Sequence, residues 1–171
     1  PPPAADTFTS LSGPPAAAGP LDIERLAALL YFAAGVTKSK TYPGGAQVFF
    51  RAAPSTGALY QTEVYVIAGD VAGLGAGVYH FGPGDFSLRR LREGDFRGAA
   101  AGAAADEDMA ARPALLVLTG IYWRNTWKYQ ARGYRHLFWD SGTLLAQLLA
   151  AARALDLPAR LITGFVDAQL N

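Results

Sequence analysis

The chain has 171 residues, 51% of them hydrophobic in type, so it can build a real core and is not disordered as a whole. Its 15 basic and 14 acidic groups nearly cancel to a formal +1, which argues against a strongly basic nucleic-acid binder and against an acidic tail protein. Cysteine is absent, so a disulfide, a thiolate metal site and a cysteine nucleophile are excluded.

Residues 1–20 are rich in Pro, Ala and Gly, with Asp6 the one charge, and read as a linker or extended arm. The chain opens on Pro1 and its one methionine is Met109, so the expectation is a processed chain or a piece of a longer one. A helix is predicted from an Asp22 cap to Gly35, with Ile23, Leu26, Leu30 and Ala33 on its buried face. Residues 38–47, with the Pro43-Gly44-Gly45 turn, read as a loop, and 48–50 as a short strand. After the Pro54-Ser55-Thr56-Gly57 punctuation, 63–68 is β-branched and reads as a buried strand. Residues 78–81 and 86–91 form a predicted hairpin around Pro83-Gly84, and Gly75-Ala76-Gly77 leads into it. The alanine-rich stretch 99–111 reads as a surface helix or loop. Residues 114–121 read as another buried strand.

Residues 123–134 are aromatic and basic and read as a helix after a bend. A long helix over 137–155 is nearly apolar all round from Leu144, which suits a core or a large dimer interface. The apolar stretch 144–157 is interrupted by Gln147, Arg153 and Asp156 and is too short to span a bilayer. Residues 158–163 read as a last strand, followed by a turn at Gly164-Phe165. No internal repeat is visible. The order of elements predicts an α+β fold, a mixed sandwich with a central sheet flanked by helices.

Three stretches could carry chemistry. The first is Arg51 to Tyr60, where Pro54 fixes φ, Gly57 permits positive φ, and Ser55 and Thr56 put hydroxyls beside backbone N–H groups. Such a loop can meet the polar edge of a planar ligand, or be an ordinary capped turn. The second is Trp127-Lys128-Tyr129. The chain uses three lysines among its 15 cations, so a lysine at 128 hints at a need for an amine that can give up its proton. Beside the Tyr129 phenol it can share a proton; equally, the stretch can pack a dimer surface. The third is Thr163-Gly164, a turn with free backbone donors. His80 and His136 have no zinc-site spacing and read as a strand-face residue and a helix-start residue. G-x-S-x-G, P-loop and H-E-x-x-H motifs are all missing.

Taken in order, RAAPSTGALYQTEVYV, GVYHF, WKYQARGYRHLFWDSG and ITGF resemble the nitroreductase superfamily, and within it the SagB-type dehydrogenases that oxidise thiazolines and oxazolines to azoles. The likeness runs over residues 21–171, and the first and third stretches carry most of it. It implies FMN at a dimer interface, with Pro54, Ser55, Thr56 and Gly57 along the flavin, Arg51 as a further polar contact, and Thr163 and Gly164 offering a backbone N–H to flavin N5. Lys128 and Tyr129 match the pair to which azoline oxidation assigns proton abstraction. The long helix would be the dimer helix. The substrate would be a peptide or carrier-bound azoline, and the partner a second copy or a second nitroreductase-like domain. The expected setting is the cytoplasm, with no nucleic acid or membrane partner.

Two departures bear on this. The family binds the FMN phosphate with N-terminal arginines, yet no Arg or Lys precedes Asp22; and a further family strand follows the ITGF turn, where this chain stops. The domain is therefore expected to be incomplete at both ends, or to have lost its flavin. Gln61 also stands where the family carries proline. Two alternatives accompany the azoline reading: an NAD(P)H-dependent nitro or quinone reductase on the same fold, and a flavin-free pairing domain.

Overall fold

Helix α1 (Ile23–Ala34) starts where the sequence puts its cap: the Asp22 side chain accepts a hydrogen bond from the Arg25 backbone N–H at 2.8 Å. It stops at Gly35, whose N–H reaches the Leu30 and Tyr31 carbonyls at 3.0 Å. A Cβ at position 35 would lie 2.7 Å from the Tyr31 carbonyl oxygen, so close approach, not a left-handed turn, calls for glycine here. The computed structural model describes Ser12 and residues 19–170, and the predicted linker over 1–20 falls almost wholly outside the described residues.

Strands β1 (Val36–Thr41) and β2 (Gln47–Arg51) pair as an antiparallel ribbon, with Lys38 opposite Phe50 and Thr41 opposite Gln47. This corrects the reading of 38–47 as a loop; the turn is confined to the residues between the strands, closed by Tyr42 N–H donating to the Ala46 carbonyl at 2.8 Å. A ribbon exposed on nearly every residue of β1 buries no face, so no apolar alternation marks it, and its lysines are the side chains that protect an open edge.

Strands β3 (Thr62–Ala68), β4 (Gly77–Gly82), β5 (Ser87–Glu93) and β6 (Ala114–Gly120) build an antiparallel sheet in the order β5-β4-β3-β6. β3 is central and buried at every position but Tyr65. The β4–β5 hairpin forms as predicted, with His80 on β4 opposite Tyr65 of β3. β6 is an edge, half-buried over Ala114 to Leu118 and exposed at Thr119 and Gly120, where the sequence predicted a buried strand. The alanine-rich region is helix α2 (Arg97–Ala104) followed by a 3₁₀ turn (Glu107–Ala111).

Helix α3 (Trp123–Tyr129) ends at Gln130, whose φ of +50° breaks it; a 3₁₀ turn (Gln130–Arg132) then feeds helix α4 (Gly133–Ala154). α4 therefore begins before the predicted 137. Gly133, His136, Asp140, Leu144, Leu148 and Ala151 make one buried stripe, which Ala150 and Ala152 widen toward its end, while before Leu144 Phe138 and Trp139 are 59% and 58% exposed. Residues 158–163 form no strand. Arg160 pairs with Asp106 and the Val166 N–H donates to the Ala103 carbonyl, so this segment is tied to α2 and the turn after it instead of lying along a sheet edge. A short helix α5 (Asp167–Leu170) follows.

The core lies between the sheet and the α1–α4 pair, with Leu26, Leu30, Val64, Val66, Leu144 and Leu148 in one cluster. The expected α+β architecture, a sheet flanked by helices, is what the chain adopts. Among the described residues no helix is long and apolar enough to cross a membrane. Leu26 is fully buried, so Leu26→Ala should cost about 2–5 kcal/mol of stability, read as a lower urea midpoint at unchanged slope.

Candidate active site

The loop between β2 and β3 is shaped from behind by one carboxylate. Asp140 of α4, 6% exposed, accepts from the Ser55 hydroxyl at 2.6 Å, the Thr56 hydroxyl at 2.8 Å, the Thr56 N–H at 3.0 Å and the Gln61 side-chain amide at 3.2 Å. No ion pair reaches it among the described residues, so these donors are what satisfies it. The next residues of α4 add to the grip: Thr143 donates its hydroxyl to the Pro54 carbonyl at 3.0 Å, and the Ser141 and Thr62 hydroxyls lie 3.2 Å apart. Ser55 also receives the Tyr60 N–H at 2.9 Å, which closes the loop on itself.

Below the loop sits a charge cluster. Glu63 of β3, 7% exposed, meets His80 Nε2 at 2.7 Å and the Arg124 guanidinium of α3. Arg124 also donates to the Tyr60 carbonyl at 2.8 Å, and so ties this cluster to the loop. Burial pushes the Glu63 carboxyl upward, but hydrogen bonds from His80 and Arg124 and the charges of Arg124 and Arg51 outweigh it and hold the carboxyl below its usual value. Arg51 stacks its guanidinium over the Tyr60 ring at 4.8 Å and donates to the Thr62 carbonyl at 3.4 Å. Burial draws the Arg51 pKa down, Glu63 works against that, and Arg124 adds to it.

The outer face of the loop is different in character. Pro54 and Gly57 are exposed. Gly57 has φ +67°, and a Cβ there would lie 2.6 Å from the Tyr129 hydroxyl oxygen. The structure therefore brings Tyr129, at the end of α3, against the Pro54–Gly57 loop across 72 residues of sequence. Tyr129 is held in turn by His136 of α4, whose ring meets it edge-on with centroids 4.7 Å apart. His136 Nδ1 lies 2.9 Å from the Asn125 side-chain oxygen. Lys128 is exposed, with Nζ 5.3 Å from the Tyr129 ring centroid.

Thr163 and Gly164 are exposed on the coil anchored to α2, and no hydrogen bond joins them to the 51–57 loop. Among the predicted residues, then, Tyr129 meets the loop that carries Arg51, Pro54, Ser55, Thr56 and Gly57, Lys128 lies beside Tyr129 as its neighbour in the chain, and no hydrogen bond joins Thr163 or Gly164 to the loop. Sequence reasoning missed Asp140. Its one signal was a lone carboxylate four residues after His136 and four before Leu144, on the stripe that becomes buried. Among the described residues no group of three His, Asp or Glu could hold a metal ion.

A recess behind the loop, lined by Arg51, Ser55, Tyr60, Thr62 and Asp140 among others, has about 10 Å³ of room, enough for one water. On the outer face Pro54 and Gly57 form an exposed shelf, with the Tyr129 hydroxyl seated where a side chain at Gly57 would lie.

The nitroreductase family profile matches residues 18–171, and the chain belongs to this family of flavin-type oxidoreductases. A Methanocaldococcus jannaschii protein assigned as a nitroreductase is 29% identical over 153 residues, covering 89% of this chain and 73% of that protein. The crystal structure of an Anabaena variabilis protein, likewise assigned, superimposes with a TM-score of 0.81 at 30% identity, covering 97% of this chain. The chain spans only about a third (34%) of that protein's length. A chain of the E. coli microcin synthetase McbBCD complex, solved with truncated pro-MccB17 bound, gives a TM-score of 0.72 at 23% identity, covering 97% of this chain and 65% of its own; at that identity the likeness is one of fold.

Two outcomes follow from this geometry. Gly57→Ala combines left-handed strain with a collision at the Tyr129 hydroxyl, and should destabilise the protein by about 1–2 kcal/mol in urea unfolding. Because the folded Glu63 carboxyl titrates below its ordinary 4.5, its stabilisation is present above that pH and is lost as pH falls through the folded value. The stability gap between the wild type and Glu63→Gln should therefore be widest near pH 7 and shrink below about pH 4.5, when urea midpoints are compared across that range.

Proposed function

We propose that this chain is the flavin-binding unit of an FMN-dependent dehydrogenase that oxidises thiazoline or oxazoline rings in peptide natural products to azoles. The observation that carries the reading is the Tyr129 hydroxyl against Gly57, with Lys128 beside the Tyr129 ring: a proton-accepting pair at the rim of a shelf suited to a planar ring. On this reading Pro54, Ser55, Thr56 and Gly57 hold the flavin, Arg51 supports its polar edge, and Thr163 and Gly164 offer a backbone donor. Bound there, FMN supplies the acceptor for the hydride that azoline oxidation releases.

The reaction takes one ring hydrogen as a proton and one as a hydride, and leaves the new ring double bond. The Lys128–Tyr129 pair receives the proton with one of its two members in the deprotonated form, the Lys128 Nζ lying 5.3 Å from the Tyr129 ring centroid. Lys128 is exposed, so it can meet a substrate that arrives on a peptide or a carrier. The bound pro-MccB17 in the microcin synthetase structure is the feature of the comparisons that favours a peptide substrate.

Pairing with a second copy or a second nitroreductase-like domain completes the proposal. Trp123, Trp127, Tyr134, Phe138 and Trp139 of α3 and α4 are 58–69% exposed and flank the Lys128–Tyr129 pair. An aromatic surface of this size suits a protein interface better than water. The names of the Methanocaldococcus and Anabaena relatives favour a second reading, nitro or quinone reduction with NAD(P)H on the same shelf.

The visible absorption spectrum, with identification of the chromophore released on denaturation, tests the flavin itself: FMN is expected, and a protein that stays colourless after soaking in FMN would leave a flavin-free pairing domain. Lys128→Ala should keep FMN bound yet lower azoline oxidation by roughly 10²–10⁴-fold. Full turnover in that variant would remove Lys128 from the mechanism, and rapid bleaching by NAD(P)H would favour the second reading.

A further inference from the structure

Ser55 and Thr56 invite the idea that their hydroxyls touch the cofactor, but both point inward. The Ser55 hydroxyl donates to Asp140 Oδ2 at 2.6 Å and the Thr56 hydroxyl to Asp140 Oδ1 at 2.8 Å. The Thr56 N–H lies 3.0 and 3.1 Å from the same two oxygens. Each hydroxyl has one proton to give, and each gives it to Asp140. With the Gln61 amide, every donor to this carboxylate among the described residues comes from residues 55–61, and the carboxylate sits on a rigid helix of 22 residues.

We infer that Asp140 is a positioning residue for the cofactor: it folds residues 55–61 around itself, so that the shelf of Pro54 and Gly57 faces outward, and the Ser55 and Thr56 hydroxyls serve Asp140 and not the flavin. The inference rests on the flavin reading and adds the residue that sets the shelf. Its physical basis is an asymmetry. A buried carboxylate stripped of its donors is costly, so the loop has few ways to move while Asp140 keeps them. Thr143, one turn on, shares its one hydroxyl proton between the Pro54 carbonyl at 3.0 Å and the Asp140 carbonyl at 2.8 Å, a further contact from the same helix to the start of the loop.

Two side chains that act through one partner lose their effects together, whereas independent ones lose them additively. The experiment is a double-mutant cycle on FMN affinity, read by quenching of flavin fluorescence as protein is added, for the wild type, Thr56→Val, Asp140→Asn and the double variant. Thr56 is chosen because the Ser55 hydroxyl also receives the Tyr60 N–H, whereas the Thr56 hydroxyl serves Asp140. Urea unfolding of the same four proteins without FMN runs in parallel. Each single variant should bind FMN about 10- to 100-fold more weakly. The double variant should lose little beyond the larger single loss, because the Thr56 hydroxyl acts through Asp140.

Losses that multiply would show that the Thr56 hydroxyl meets the cofactor directly, and unchanged FMN affinity in Asp140→Asn would show that Asp140 does not set the shelf; either overturns the inference. Should Asp140→Asn fail to fold, Thr56→Val and Thr56→Ser carry the test: the first should lower both FMN affinity and the urea midpoint without FMN, and the second, which keeps the hydroxyl on Asp140, should restore both. A Thr56→Val protein that loses FMN affinity at an unchanged urea midpoint would overturn the inference. If the wild type binds no FMN, the flavin reading falls and the cofactor role of Asp140 falls with it, while the unfolding cycle still reports whether Asp140 and Thr56 act as one unit; the two failures are thereby told apart.

Discussion

A carboxylate buried without a cation must be surrounded by donors, and at Asp140 that requirement dictates the shape of the loop in front of it. Two hydroxyls and one backbone N–H converge on its two oxygens from adjacent residues, Ser55 and Thr56, and Gln61 adds an amide. Satisfying one side-chain acid with so many groups from one short stretch leaves that stretch little freedom. Gly57 then follows in the left-handed region, the conformation that turns the chain outward again after Thr56 has been drawn in. The loop's inner face is polar and committed to Asp140, and its outer face is exposed at Pro54 and Gly57, where Tyr129 meets it.

Helix α4 extends this control beyond the loop. His136, Asp140 and Leu144 succeed one another at intervals of four on its buried stripe. His136 packs against Tyr129, Asp140 holds the loop, and Leu144 enters the hydrophobic core. One rigid rod thus fixes the distance between the aromatic hydroxyl and the shelf it borders, and anchors both to the sheet. The Glu63 cluster makes the opposing contact. Arg124 holds the Tyr60 carbonyl while the Tyr60 N–H is held by Ser55, so the end of the loop is gripped from both sides. Fold stability and site geometry share the same few residues.

How much of this was legible depended on whether a residue's role was local. α1 was readable because its cap, its periodicity and its terminal glycine all lie within fourteen residues, and the β4–β5 hairpin because its turn carries Pro83-Gly84. The site loop announced itself through Pro54 to Gly57, and Lys128-Tyr129 through composition. What escaped was decided by distant partners. β1 looks like a loop because its lysines and threonines bury no face, and it becomes a strand only through β2. Residues 158–163 have strand-like composition, yet Arg160 pairs with Asp106 and Val166, just beyond, bonds Ala103, and composition does not name a partner. Asp140 drew no reading from the sequence because its partners lie 79 to 85 residues upstream. The family likeness located the loop and the Lys-Tyr pair, but it did not say what shapes them.

On the proposed reading, the division of the loop into an inner face committed to Asp140 and an exposed outer face bears on pairing. The recess behind Ser55 admits one water, so the reading puts the flat cofactor on the outside of the loop. A ring lying on an open shelf keeps its other face in solvent, where it gains less from burial and where reactive hydride chemistry is exposed to water. The surface beside that shelf is unusually aromatic, with three tryptophans exposed along α3 and α4. On the proposed reading these two facts have one cause: the protein that covers the aromatic surface also closes the cofactor's second face. The shelf would then gain its affinity in two portions, one set within this chain by Asp140 and one set by the partner. A chain studied alone would hold its flavin more weakly than the pair, even with every loop contact intact.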